Sequence, residues 1–277
     1  MRRRIAAVIA GDRIIDDGDM RLFRALPTEA LDALGPFVFI DHYRSRSARG
    51  IGDRPHPHAG IEVISYLLEG GVQHRDSMGF RDAIGPGDAQ WIRAGRGILH
   101  AEQPTGPRHG LQLWTSLPPD QKFAEPAYAS WRAGDLPRLT FEGAAAVVLA
   151  GSAGGVEGPM RLATPTTFIH VRFDADVAVD LPLDPADELG VYVLEGSVRI
   201  DGGDTLEVGA LAVLTPGETL HCATSESAAQ IAILGGQTAA RPILFGGPFV
   251  MDSVERLAQA RADYIAGRMG RLEGVPF

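Results

Sequence analysis

Four side chains of metal-ligating type fall into two pairs: His56 with His58, and His100 with Glu102. One residue separates the members of each pair. On a β-strand, residues i and i+2 project from the same face, so each pair can aim two ligand atoms at one point. Two such strands facing each other make a three-imidazole, one-carboxylate set, which suits a first-row metal such as Fe, Cu, Ni or Zn. The bland alternative is surface or hydrogen-bonded histidines, the usual fate of an isolated His-x-His. A second pair arriving after a turn-rich β stretch favours a metal. His74 has only Asp76 as a polar i+2 neighbour. The expectation is that it hydrogen-bonds Asp76 or Ser77 and is not a ligand.

The elements that must position these pairs are legible around them. Pro55 and Pro57 flank His56 and lack the N–H a central strand needs, which places His56–His58 at a strand entrance or edge. Residues 61–68 carry β-branched Ile61, Val63 and Ile64 with aromatic Tyr66 and read as a strand. Glu69-Gly70-Gly71, Gly85-Pro86-Gly87-Asp88 and Ala94-Gly95-Arg96-Gly97 are turns. They deliver strands at 89–92 and 98–100. Near the end, Asp252 with Glu255 three residues on suggests a capped helix closed by Gly267 or Gly270, packing on a barrel.

At 277 residues the chain has room for one large or two ordinary domains. Its 34 Gly and 19 Pro favour many turns and short strands. The charge sum, 26 − 35 = −9, with a pI of about 5.4, lacks a basic nucleic-acid footprint, so direct nucleic-acid binding is not expected. A lone cysteine, Cys222, rules out an intrachain disulfide and reads as a small core residue. The apolar run from Ile5 to Ala10 is too short for a secretory signal, and no stretch approaches the ~18 apolar residues of a membrane span. A cytoplasmic protein is expected, with no membrane partner.

The second half echoes the first. Tyr66-Leu67-Leu68-Glu69-Gly70 returns as Tyr192-Val193-Leu194-Glu195-Gly196, 126 residues later. Each copy then reaches a glycine before an apolar strand, Gly87 or Gly209, and a histidine, His100 or His221, 13 and 12 residues further on. Two tandem copies of one β unit are the simplest explanation, joined by a linker at 134–139. The expected domains are 1–135, carrying the ligands, and 136–277, with the site lost and the terminal helix appended. No histidine precedes Tyr192 at the matching place, and Cys222-Ala223 follows His221, so His221 is expected to be a satisfied polar residue.

At these residues the chain resembles the pirins, two-domain members of the cupin superfamily. The carriers are His56-Pro57-His58 with Gly60-Ile61-Glu62, Tyr66-Leu67-Leu68-Glu69-Gly70, His74-Arg75-Asp76-Ser77, Gly85-Pro86-Gly87-Asp88-x-Gln90-Trp91, Ala94-Gly95-Arg96-Gly97-Ile98-x-His100-x-Glu102 and Gly247-Pro248-Phe249-Val250-Met251. The resemblance runs almost end to end. It implies an all-β bicupin fold: two antiparallel, jelly-roll-type barrels in tandem with a C-terminal helix. It also implies one divalent transition metal in the N-terminal barrel only, Fe(II) before Mn, Ni, Cu, Co or Zn. The implied ligands are His56, His58, His100 and Glu102. Glu62 stands where other cupins place a ligand glutamate; the pirin pattern uses Glu102, which leaves Glu62 an outer role. Ala59 and Ile61 depart from the family's frequent arginine and phenylalanine, which alters the pocket rim.

Two functions follow from the resemblance. One is a quercetin 2,3-dioxygenase-like oxidoreductase taking a small aromatic substrate and O2, with Glu102 as the catalytic base. The other is an iron-dependent co-regulator acting through a protein partner without catalysis. A purely structural metal fits less well, since closed structural sites are typically thiolate-bound zinc.

Overall fold

The computed structural model describes residues 1–272. The expected fold class holds: the chain is all-β, a bicupin of paired antiparallel sheets, with the helix Val254–Ile265 near the C-terminus. The closely spaced turns and short apolar runs explain why. Strands of two to nine residues alternate with glycine turns, and no long stretch keeps a helical apolar period before residue 254.

One unit comprises Arg13–Leu22, Val38–Gly134 and residues 240–272. Its larger sheet runs Ala127–Trp131, Ala89–Arg93, Ile61–Glu69, Arg108–Ser116, Phe37–Ser45, Met20–Leu26 and Asp12–Asp16. Its smaller sheet runs His56–His58, Ile98–Pro104, Val72–Asp76 and Arg81–Ile84. The second unit comprises Met1–Asp12, Phe23–Phe37 and Asp135–Ala239. Its smaller sheet, Ala178–Pro182, Thr219–Ala223, Ser197–Ile200 and Thr205–Glu207, has the strand order of the first unit's smaller sheet, element for element. The repeat read from the sequence is thus a repeat of topology.

The contiguous halves expected at residue 135 need correction at both ends. Ile5–Ala10 pairs with Ala210–Leu214, and so belongs to the unit formed mainly by the second half. The terminal helix belongs instead to the unit that contains His56–His58 and Ile98–Pro104. There Ala260 is buried with Phe249, Met251, Met269 and Ala59, and Leu257 and Leu99 pack against them. The helix therefore braces Ala59 and Leu99, the neighbours of His58 and His100. Its cap also differs from expectation: Ser253 accepts from the Arg256 N–H, while Asp252 binds the Arg256 guanidinium at 2.8 Å. An N-cap hydroxyl is worth about 1 kcal/mol, and the carboxylate gains more from a charged partner than from a backbone amide.

The second copy departs from the sequence alignment by one residue. Cys222, not His221, pairs with Val179 and Ile200, as His100 pairs with His56 and Asp76. A one-residue slip sends a side chain to the opposite face. His221 accordingly faces outward, its Nδ1 2.7 Å from Asp180 Oδ1. It is a satisfied polar side chain as expected, but on the outside of its strand. Cys222 is fully buried among Val179, Leu181, Val198 and Leu220, where burial pushes its thiol pKa up.

Candidate metal centre

The strand His56–His58 is three residues long and lies at the edge of its sheet, where the two prolines cost no ladder bond. Its only strand partner is Ile98–Pro104, with His56 opposite His100 and His58 opposite Ile98. On its other side Ile98–Pro104 pairs with Val72–Asp76, which sets His74 opposite Glu102. His100 is the central member, with His56 on one flank and His74 diagonally on the other.

This register makes two overlapping clusters. Ligand atoms of His56, His58 and His100 all lie within 4.8 Å of one another, and so do those of His74, His100 and Glu102. The four expected residues do not form one such group. Glu102 is grouped through His100 with His74, and its Oε1 lies 3.8 Å from His100 Nδ1. His74 is where the sequence reading was thinnest. Its Nε2 hydrogen-bonds Asp76 Oδ2 at 3.2 Å, the predicted contact, yet its ring lies 5.7 Å from that of His100. The missed signal was the alternation Val72-Gln73-His74-Arg75-Asp76, whose first, third and fifth residues are buried.

The tautomers favour metal binding. His56 Nδ1 faces the Arg54 carbonyl at 2.9 Å and His58 Nδ1 faces the Pro248 carbonyl at 3.4 Å. A ring nitrogen facing a carbonyl must donate, which leaves each Nε2 with a lone pair. Burial, with neighbouring His56, lowers the His58 pKa to about 3. Burial, with the other imidazoles, holds His100 well below the usual histidine range. Both rings are neutral at physiological pH, the form that ligates.

Whether the residues fit a metal is tested by their unfilled capacity. Among the described residues, His58 Nε2, both ring nitrogens of His100 and His74 Nδ1 are buried with no hydrogen-bond partner. Each such atom costs about 1–3 kcal/mol in a folded protein. A neutral imidazole keeps one free lone pair, so these atoms amount to three lone pairs in one cluster, on His58, His74 and His100, which is what a cation site presents. The residues fit.

Neighbouring side chains hold the carboxylate and the rings in place. Glu102 accepts from Ser65 Oγ at 3.3 Å and from Gln90 Nε2 in a short hydrogen bond. Tyr128 stacks on His74 with ring centroids 4.5 Å apart, and its hydroxyl lies 3.2 Å from Gln90 Oε1 and 3.0 Å from Asp82 Oδ2. Trp114 packs edge-on to His58 at 4.9 Å and stacks on Phe39 at 4.1 Å. Glu62, given an outer role above, is in neither cluster: its oxygens accept from Trp91 Nε1 at 3.1 Å and Thr115 Oγ1 at 2.9 Å.

The segment behind His58 is fixed by a buried cation. Lys122 Nζ donates to Gly60 O, Ser116 Oγ and Val250 O at 2.8–3.0 Å, and burial lowers its pKa to about 8. Gly60 has φ +75°, and a Cβ there would meet Val250 O at 2.1 Å. Only glycine allows the Pro248–Val250 backbone to approach closely enough to orient His58. Ser65 and Lys122 stand in no motif, and Gln90 and Pro248 stand in motifs that gave them no role at the site.

Comparison with known proteins identifies relatives of the whole chain. The Pirin family model matches residues 19–115 and the Pirin C-terminal cupin domain model matches 168–270. Human Pirin is 33% identical over 257 residues, 90% of this chain and 88% of its own. A Pirin-like protein of Caulobacter vibrioides is 33% identical over 266 residues, 92% of this chain and 91% of its own. The crystal structure of quercetin 2,3-dioxygenase from Acinetobacter baumannii superposes with a TM-score of 0.87 at 26% identity, covering 98% of this chain and 99% of that one. With both family models matched in order and curated relatives aligned nearly end to end, the chain belongs to the pirin family.

Proposed function

We propose that this pirin is a metal-dependent dioxygenase that cleaves flavonols of the quercetin type, with His56, His58, His100 and Glu102 as the metal ligands. The observation that carries the reading is the cluster of buried, unpartnered imidazole nitrogens beside a buried carboxylate. The likeness to a quercetin 2,3-dioxygenase over nearly the whole chain supports the substrate class.

A divalent transition metal held there, Fe(II) first among the candidates, would acidify a ligating hydroxyl and hold it in place. The remaining work falls to the chain. Glu102 takes the flavonol 3-hydroxyl proton on its carboxylate. The Gln90 amide and the Ser65 hydroxyl keep that carboxylate aimed. Flat ring faces at Trp114 and at the His74–Tyr128 stack suit a planar aromatic substrate. Near-complete burial of His58, His100 and Glu102 keeps bulk water from the proton transfer.

The test is carbon monoxide. Metal-loaded protein incubated with quercetin in air should consume O2 and release CO in proportion to quercetin lost. Quercetin binding without CO release would contradict the reading and leave the non-catalytic, partner-binding role.

A further inference from the structure

Arg108 opens the strand Arg108–Ser116 in the ligand-bearing unit, and it is 3% exposed. No carboxylate among the described residues pairs with it, and its Nε and Nη2 are buried without a hydrogen-bond partner. Its guanidinium lies over the Tyr43 ring, 4.7 Å from the centroid. A cation–π contact fixes the guanidinium plane, but it supplies no acceptor for the edge. Burying a full charge without a counter-ion is costly enough that native proteins rarely do it.

The two bare atoms are informative as a pair. Nε–H and Nη2–H point the same way from one edge of the guanidinium, the edge that takes a carboxylate through two parallel hydrogen bonds. Surrounding it is apolar surface: Tyr43 packs with Met20, Leu22, Leu67, Val72 and Ile84. Met20 and the preceding Pro107 also line a surface hollow of about 530 Å³, whose other walls are polar, with Arg21, Arg44 and Arg46 beside Asp16, Asp19 and Glu69. Burial raises the Tyr43 pKa to about 12, against the opposing pull of the Arg108 charge beside it.

We propose that the Nε/Nη2 edge of Arg108 is a recognition point for an organic carboxylate with an apolar body, reached past Met20 and Pro107. The site does not depend on the metal reading, since none of its residues is a ligand. Isothermal titration of benzoate, in chloride-free buffer, tests it on wild type, on R108K and on R108M, with metal and after stripping. Wild type should bind one benzoate with or without metal, and the thermal midpoint should rise with benzoate. R108K keeps the charge but loses the fork, and should bind at least tenfold more weakly. R108M should show no benzoate-dependent rise while melting no lower than wild type without ligand. Should R108M fail to fold, the Nε–H resonance of Arg108 in the wild type decides, because a saturable benzoate shift is required there. Failure of wild type to bind benzoate, or equal binding by R108M, would overturn the proposal. H58A should bind benzoate as wild type does, which separates this outcome from the fate of the metal centre.

Discussion

The two units share the strand order of their smaller sheets and fill their interiors with opposite chemistry. In one, the inward positions are His56, His58, His74, His100 and Glu102. In the other, the same registers carry Val179, Leu181, Val198, Cys222 and Thr224. From Gly87 to His100 is 100 − 87 = 13 residues; from Gly209 to His221 is 221 − 209 = 12. That single missing residue reverses the parity, turning the surviving histidine outward and the cysteine inward. One unit is a packed aliphatic core, the other a polar interior with lone pairs left unfilled. The scaffold does not need the imidazoles to fold, so their retention in one copy belongs to function.

The sharpest way to break this contrast is at the carboxylate. Glu102→Gln keeps an amide oxygen that can ligate weakly but is a poor base. Flavonol turnover should fall by about 100-fold or more, while part of the metal remains. Unchanged turnover would remove Glu102 from the chemistry. In the other unit, Leu220→Ala opens a cavity in the aliphatic core and should cost about 2–5 kcal/mol by denaturant unfolding, with metal content unchanged. Loss of metal there would show that the second interior matters to the first.

Acid should separate the units next. His42 and His109 are buried with their Nε2 atoms 2.7 Å apart. Burial, then His109 and Arg44, lowers His42 to about 3; burial, then Arg44, lowers His109 to about 4. Their folded pKa values lie below the unfolded one of about 6.5. The stability they contribute is therefore whole above about pH 6.5 and drains away as pH falls towards about 3, because the unfolded chain takes up protons the folded chain refuses. Hydrogen exchange on metal-free protein should show the His42 strand losing protection before Thr166–Phe173 does. The reverse order would count against the account.

His74→Ala is the smallest expected effect: metal content should stay near the wild-type value, because His74 is grouped with His100 and Glu102 but not with His56 and His58. A large loss of metal would promote His74 to ligand and demote His56, the half-exposed member of the cluster.

Much of this was legible in the sequence because it depends on local rules. Alternation, turn glycines and i, i+2 spacing identified the strands, the repeat and the two His and His/Glu pairs that face the same interior. What was hidden depends on strand adjacency. Nothing in Gln73-His74-Arg75 says that this strand lies beside Ile98–Pro104, so the approach of His74 to Glu102 appears only in the register. The same holds for Pro248, whose carbonyl faces His58 across 190 residues, and for the exchange of the termini between units. The parity of His221 was written in the 12-residue spacing, but a histidine matched to a histidine concealed it.

The central claim is that one interior binds metal and the other does not. Elemental analysis of the purified chain, wild type beside His58→Ala, tests it most directly. Wild type should carry one metal per chain. Loss of an outer hydrogen bond alone weakens metal sites about 10- to 100-fold, so removing the His58 ligand should leave occupancy far below one under the same conditions. Two metals per chain in the wild type, or full occupancy in His58→Ala, would contradict the account.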